Sequence, residues 1–421
     1  MWTDRCSTAI ARGMNERVLI DRVGHQGDGV AKTPGGPVFV PYTLPGEEAA
    51  VEKNGERARL IELVTESPER IAPICPYFGT CGGCALQHWQ EKSYCVWKRD
   101  LVVTALEYEG IRTEVGDLID AHGAGRRRVV LHAKRGGGKN FTVGFTARRS
   151  HAIVEIDRCP VLAPSLTHVF EISRRIAELL TPKDKPLDIQ FTATDSGLDI
   201  DVRGSGPLNS KLISSLAKIA ADERLARLTR HGEIVTQLSE PALTIGSARV
   251  VLPPGAFLQA TQAGEEALAD AVISTIRKTK HIADLFCGVG TFALRLAGHA
   301  KILAVDSEAS AIAALSRAAK TPGLKPVETI TRDLFRRPLV DAELKDCDTV
   351  VLNPPRQGAE AQTRELAKAK IARIIYVSCN PASFARDAKI LTDAGFKLLR
   401  VKPVDQFRYS PHVELVGVFE R

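Results

Sequence analysis

Ile374-Ile375-Tyr376-Val377-Ser378-Cys379-Asn380-Pro381 sets a cysteine at the tip of an apolar run that reads as a strand. The thiolate is the nucleophilic form of cysteine, and a helix N-terminus beginning near Pro381 would stabilise it. Group transfer to an exocyclic amine needs no thiol. Methylation at carbon 5 of a pyrimidine does, because that carbon is not nucleophilic until something adds at carbon 6. The plain alternative is inert packing of a buried cysteine, against which the strand-tip position and polar neighbours weigh. The same chemistry needs a base for the proton on carbon 5. Glu414 in His412-Val413-Glu414-Leu415-Val416 is the candidate, since partial burial in an apolar strand would raise its pKa to a useful value. An outward-facing place on an edge strand explains the same pattern equally well.

Two further motifs suit a ligand beside that thiol. Asp284-Leu285-Phe286-Cys287-Gly288-Val289-Gly290-Thr291-Phe292 follows an apolar run, and its two glycines let backbone approach a ligand where helix N–H groups point outward. A nucleotide, a dinucleotide and a tight structural turn all remain open on that fragment. The next apolar run ends in Asp306, a carboxylate suited to a ribose diol. The short interval from Gly290 to Asp306 favours S-adenosylmethionine over a dinucleotide, with Asp333 after the third strand available to adenine. The loop lacks the lysine and Ser/Thr of a phosphate-binding P-loop. Asn353-Pro354-Pro355-Arg356 ends another strand in a rigid turn, with Asn353 offering both a donor and an acceptor. Alone, that turn would fit an adenine amino-methyltransferase, but an aromatic residue is expected after the prolines and Arg356 stands there.

Cys75, Cys81 and Cys84 cluster around Gly82-Gly83, and Cys159-Pro160 follows after a long gap. Three close thiols and one distant one make a four-thiolate metal site. Zinc would prefer paired Cys-x-x-Cys knuckles; unequal spacing and the Cys-Pro ending favour an iron–sulfur cluster.

These groups need elements to hold them. Residues 13–64 carry short apolar runs between Gly and Pro turn signals and predict a small β-barrel. Residues 65–74, with Pro68 and Pro73, read as a linker. A helix is predicted from about Gln87 to Glu109 and another from Ser165 to Leu180, within a mixed region that carries basic residues at Arg126-Arg127-Arg128 and Lys134-Arg135. From 256 onward strands at 281–286, 301–306, 327–331, 348–352, 373–378, 396–401 and 413–419 alternate with helices. That pattern predicts a mainly parallel, doubly wound sheet with its functional residues at the strands' carboxyl ends.

The 421 residues predict two or three domains. Lys+Arg 57 against Asp+Glu 50 leaves a net charge of +7, compatible with a polyanionic partner. No stretch approaches the ~20 apolar residues of a membrane span. Met1-Trp2-Thr3-Asp4-Arg5-Cys6 lacks the basic lead into an apolar segment of a secretory leader, so a cytoplasmic protein is expected. An odd count of nine cysteines then argues for metal or catalytic thiols over a disulfide framework.

Taken together, these residues resemble the bacterial RNA uracil-5-methyltransferases of the RumA/RlmD type, over nearly the whole chain. Gly27-Asp28-Gly29-Val30-Ala31 and Val38-Phe39-Val40-Pro41-Tyr42-Thr43-Leu44-Pro45-Gly46-Glu47 are similar to the TRAM domain, an RNA-binding barrel, and Phe257-Leu258-Gln259 to that family's Phe-x-Gln motif. The resemblance implies an α/β fold with three parts. These are an OB-like TRAM barrel for RNA binding over 1–64, a central α+β domain carrying an iron–sulfur site over 65–255, and a Rossmann-like class I methyltransferase domain over 256–421. Part of 88–117 is expected against the last. It further implies a [4Fe-4S] cluster on Cys75, Cys81, Cys84 and Cys159. S-adenosylmethionine contacts would come from Gln259, Phe286, Thr291, Asp306, Asp333 and Asn353, with Cys379 as nucleophile and Glu414 as base. Two positions depart from the pattern: family members often carry Asp at 353 and Asn at 291. Since tRNA-specific members of the family are expected to lack both barrel and cluster, their presence favours large-subunit ribosomal RNA as partner, read by a monomer away from any membrane. The competing expectations are the same chemistry on tRNA and a non-catalytic RNA-binding or ribosome-assembly factor, which intact Cys379 and Glu414 argue against.

Overall fold

The computed structural model describes residues 15–136, 141–180, 185–276 and 279–421; the leader reading of residues 1–6 lies outside them. The chain forms two compact units. One takes the residues up to Gly79 with 84–97 and 409–411; the other takes 80–83, 98–408 and 412–421.

In the first unit, Asn15–Val23, Asp28–Thr33, Gly36–Pro41, Arg57–Thr65 and Glu48–Asn54 close in that order into a five-stranded barrel. Alternation places Val18 and Ile20, Val38 and Val40, and Ala49 and Val51 in its interior. At Gly29 a Cβ would stand 2.0 Å from the Thr43 hydroxyl, so only glycine lets the chain pass there. The stretch expected as a linker is fastened down instead. The buried carboxylate of Glu47 accepts from the Arg70 guanidinium at 2.6 and 2.8 Å and from the Leu44 amide at 2.7 Å, and ordering Arg70 satisfies a charge that the barrel would otherwise bury alone.

The second unit holds two large sheets. A seven-stranded one runs Glu233–Gln237, Arg227–Arg230, Gly197–Arg203, Leu187–Thr194, Arg128–Arg135, Phe141–Thr146, Ile153–Glu155. The other has eight strands, ordered Val327–Thr331, Lys301–Asp306, His281–Leu285, Thr349–Leu352, Arg373–Ser378, Glu414–Glu420, Lys397–Asp405, Ile119–Asp120. Its first five strands are parallel, and Glu414–Glu420 runs antiparallel between its neighbours. Strand order reverses between His281–Leu285 and Thr349–Leu352, which opens a crevice at their carboxyl ends. The central strands are largely apolar because both faces are covered, whereas Val327–Thr331 at the sheet edge exposes Glu328 and Thr331. Ile282, Ile302, Val351 and Ile375 enter one core, while Ala283, Leu303, Val350 and Ile374 enter the other. Val102 and Leu106, from helix Glu91–Tyr108, join the second core.

Candidate active site

The crevice is bordered by the glycine loop. Phe286 leaves the strand His281–Leu285 in a left-handed conformation (φ 63°), a strained turn for a side chain with a Cβ. Its amide donates to Val305 O at 2.8 Å, and the Gly288 amide donates to the Asp306 carboxylate at 2.8 Å. Asp306, the acid that ends the second strand, therefore fixes the loop. A Cβ at Gly288 would meet nothing within 4 Å, whereas one at Gly290 would stand 2.4 Å from Leu315. One glycine faces open space and the other lets the loop sit on helix Ala309–Ala318. The open cradle and the engaged carboxylate fit a nucleoside-bearing ligand. Phe286 stacks at a tilt on Phe335 with ring centroids 5.3 Å apart, and the Phe335 amide donates to Asp333 at 2.9 Å. Asn353 joins the border through its amide, which donates to Leu285 O at 3.1 Å.

The thiol lies at the neighbouring strand end. Asn380 caps helix Pro381–Asp393 by accepting from the Ala382 amide at 3.1 Å, and its Nδ2 donates to Arg356 O at 2.9 Å. Ser383 donates to the same carbonyl at 2.9 Å. The Asn-Pro-Pro-Arg turn is thereby held against the Cys379 turn. The Arg356 guanidinium hydrogen-bonds to the thiol, but burial and the Glu414 carboxylate outweigh it and push the Cys379 pKa up to about 11. Against the expected support of the thiolate by a helix N-terminus, burial and the neighbouring carboxylate favour the thiol.

Glu414 opens a strand bracketed on both sides, which removes the edge-strand alternative. It is buried, and burial raises its pKa to about 7, with Gln406 and Arg356 favouring the charged form. Gln406 was not singled out by sequence. Its Nε2 donates to Glu414 Oε1 at 3.0 Å and to Gln259 Oε1 at 2.5 Å. Gln259 is tied in turn to the glycine loop. Its carbonyl accepts from Arg127 at 3.1 Å, Arg127 pairs with Glu265, Glu265 accepts from Arg295 at 2.8 Å, and Arg295 donates to Thr291 O at 2.9 Å. Of the sequence-predicted residues, Glu414, Gln259 and Thr291 are thus linked by one chain of polar contacts. Arg356, Gln406, Glu265 and Arg295 are the site residues missed; a polar Asp405-Gln406 pair closing an apolar strand was the available signal.

The basic run behaves differently from the expectation of a single phosphate-binding face. Arg127 is 8 % exposed and belongs to the buried chain just described, and Arg128 donates to Gln190 at 2.7 Å. Lys134 and Arg135 remain exposed. They stand at opposite ends of the strand Arg128–Arg135: Arg127 and Arg128 at its covered start, Lys134 and Arg135 at its exposed end. Arg127→Ala should therefore leave Glu265 with Arg295 as its remaining cationic partner and destabilise the fold by about 1.5–3 kcal/mol, read as a lower melting temperature. Neutralising Lys134 and Arg135 should leave melting unchanged and flatten the salt dependence of RNA binding by about 0.7 log unit per lost contact.

Cys75, Cys81, Cys84 and Cys159 are partly exposed thiols in no disulfide. Cys75 and Cys84 belong to the first unit, Cys81 and Cys159 to the second. Among the described residues no group of three or more His, Cys, Asp or Glu is gathered as a metal site.

The profile described as tRNA (Uracil-5-)-methyltransferase matches residues 252–421, and that of the TRAM domain matches 11–52. The 23S rRNA (uracil(1939)-C(5))-methyltransferase RlmD of Shewanella amazonensis is 31% identical over 97% of this chain and 97% of its own. The chain belongs to the RNA uracil-5-methyltransferase family. An RNA methyltransferase of Caulobacter vibrioides, itself uncharacterised, is 46% identical over 96% of this chain and 99% of its own. The crystal structure of Pyrococcus abyssi tRNA (uracil-54, C5)-methyltransferase with S-adenosyl-L-homocysteine shares the fold at a TM-score of 0.73 and 23% identity. It covers 96% of this chain and 100% of its own. A tRNA-modifying enzyme thus shares this fold over nearly the whole chain, so the fold does not by itself select ribosomal RNA. No helix among its described residues is long and apolar enough to cross a membrane.

Proposed function

We propose that this methyltransferase modifies carbon 5 of a uridine in large-subunit ribosomal RNA through a covalent adduct on Cys379. The observation that carries the reading is the meeting of the Cys379 thiol, the Arg356 guanidinium and the buried Glu414 carboxylate beside the crevice. S-adenosylmethionine, when bound, supplies an electrophilic methyl group. Gln259, Phe286, Thr291, Asp306, Asp333 and Asn353 would hold it, and Asn353 does so by hydrogen bonds alone, having no charge. Cys379 gives its proton to solvent and forms a bond to carbon 6, with Arg356 offsetting the charge on sulfur; carbon 5 becomes nucleophilic and accepts the methyl. Glu414 then takes the proton from carbon 5, the carbon 5–carbon 6 double bond re-forms, and Cys379 leaves as the thiolate. A uridine must leave its stack to reach these groups, at a cost of a few kcal/mol that is least in a loop or single strand.

Ribosomal RNA is favoured by the 31% identity to RlmD; the tRNA-modifying neighbour supports tRNA as the second reading. The test is incubation with methyl-labelled cofactor and 23S ribosomal RNA or bulk tRNA, followed by mapping of the methylated base. Label in tRNA alone selects the second reading, and label on adenine or on no RNA rejects both. We assign RNA binding to the barrel within 1–64, the cluster-bearing region to 65–255 and methyl transfer to 256–421, acting as a monomer in the cytoplasm with the RNA.

We also assign Cys75, Cys81, Cys84 and Cys159 to a [4Fe-4S] cluster; the support is their spacing, with none of the four in a disulfide. Protein purified without oxygen should be brown and hold about four iron atoms per chain, and Cys159→Ser should lose them. One zinc per chain with no visible absorbance would replace the cluster by a zinc site.

A further inference from the structure

We infer that Gln406 is a positioning residue that sets Glu414 and Gln259 together through one side-chain amide. The inference rests on the reading of Glu414 as the base. Its orientation is fixed by backbone: Oε1 accepts from the Ala260 amide at 2.8 Å and the Thr261 amide at 3.4 Å. Two donors on that side leave Nε2 facing the other way, where it donates at 3.0 Å to Glu414 Oε1 and at 2.5 Å to Gln259 Oε1. The arrangement also orients Gln259. With one lone pair of its Oε1 taken by Gln406, Gln259 is turned to present its Nε2 donors to a ligand.

Space is kept for this amide. Gly264, in the first turn of helix Gln262–Ile273, lacks a Cβ that would stand 2.6 Å from Gln406 Oε1 and 2.7 Å from Gln406 Cβ. Next in sequence, Asp405 accepts from the fully buried Lys98 and from the Phe407 amide at 2.9 Å, which fixes the end of the strand that carries Gln406. Glu414 is faced by the Arg356 guanidinium from the Asn-Pro-Pro-Arg turn and by the Cys379 thiol from the neighbouring strand. Glu265 on helix Gln262–Ile273 is neutralised by Arg127 and Arg295, as Asp405 is by Lys98. A donor aimed at a buried carboxylate favours its charged form. Gln406 therefore keeps Glu414 competent as a base near neutral pH while holding it beside the glutamine that the ligand meets.

Gln406→Met keeps length and bulk and removes the two hydrogen bonds donated by Nε2 together with the two accepted by Oε1. Gln406→Glu keeps the acceptor for the Ala260 amide, so the turn stays closed, but loses the donor and faces Glu414 with a like charge. The experiment measures methyl transfer to RNA from pH 6.5 to 9 for both variants, each divided by wild type at the same pH so that titration of the thiol cancels. In Gln406→Met the pKa of Glu414 should rise by about one unit, the scale of losing one charge-assisted hydrogen bond. The ratio should then lie about fivefold or more below one at pH 7 and climb as pH rises. The climb should sit still higher in pH for Gln406→Glu. A ratio flat across that range, in either variant with a wild-type melting temperature, overturns the inference, because a merely structural defect has no reason to follow the ionisation of Glu414. If Gln406→Met does not fold, Gln406→Glu decides alone. Glu414→Gln is run alongside. Should it retain full turnover, the reading of Glu414 as base has failed; should it lose turnover while the Gln406 ratios stay flat, only the present inference has.

Discussion

Cys379→Ala is expected to abolish methyl transfer while leaving cofactor binding near that of wild type. Nothing else in the crevice can replace the thiol. Cys287, the nearest cysteine in sequence to the glycine loop, is buried among apolar side chains and its pKa is pushed far up by that burial. A 5-fluorouridine RNA should trap the wild-type enzyme covalently, since no base can remove fluorine as a cation, and digestion should return the adduct on Cys379. An adduct on another residue, or none, removes Cys379 as the nucleophile. The resting state adds a kinetic signature. With its pKa pushed to about 11, the thiol is protonated at neutral pH, so the rate of adduct formation should climb with pH. Below the pKa the thiolate fraction grows about tenfold per pH unit, and ionisation of the neighbouring Glu414 should soften that climb above pH 7 by raising the thiol further. An adduct rate independent of pH between 6 and 8 would mean that RNA binding, rather than burial and Glu414, sets the ionisation of Cys379.

The parallel sheet was legible because strands covered on both faces read as uninterrupted apolar runs. Lys301–Asp306 and Arg373–Ser378 fall where those runs predict. The glycine loop and the cysteine were legible for a related reason: chemistry at strand ends interrupts an apolar pattern, and the interruption shows in one dimension. What escaped was whatever depends on which polar side chains meet. Arg127 looks in sequence like one member of a surface cluster, yet the fold turns it inward to Glu265, far along the chain. Gln406 is an ordinary glutamine until the fold brings Ala260, Gln259 and Glu414 around it. The sign of the Cys379 shift was missed for the same cause. A helix N-terminus can be read from Asn380-Pro381, but the competing burial and the Glu414 charge belong to the folded site alone. The segment 65–74 looked like a linker from its prolines, while the charge that holds it, Glu47, lies in the barrel.

Glu414→Gln should stall the reaction one step later than Cys379→Ala. Addition of the thiol and methylation of carbon 5 need no base at that carbon, so both should proceed. The adduct then cannot shed its proton, and methylated RNA should accumulate covalently bound to Cys379 even with ordinary uridine. Turnover should fall about 10²- to 10⁴-fold, the usual contribution of a positioned base. Full turnover, or a variant that forms no adduct although it is folded and binds RNA, would remove Glu414 as the base. Stability offers an independent check with a definite sign. Burial lifts the native pKa of Glu414 from 4.5 to about 7, so the native state binds a proton more tightly than the unfolded chain. Stability is therefore greatest below pH 4.5 as far as this group is concerned, and it declines as pH rises through 7. At pH 8 the wild type carries a buried charge that the glutamine variant lacks. Glu414→Gln should then be the more stable protein by up to about 3 kcal/mol, a gain that should vanish near pH 5. A carboxylate kept in the interior against its own ionisation cost is poor packing and a well-placed base; a variant that melts below wild type at pH 8 would show that Glu414 is held there for structure.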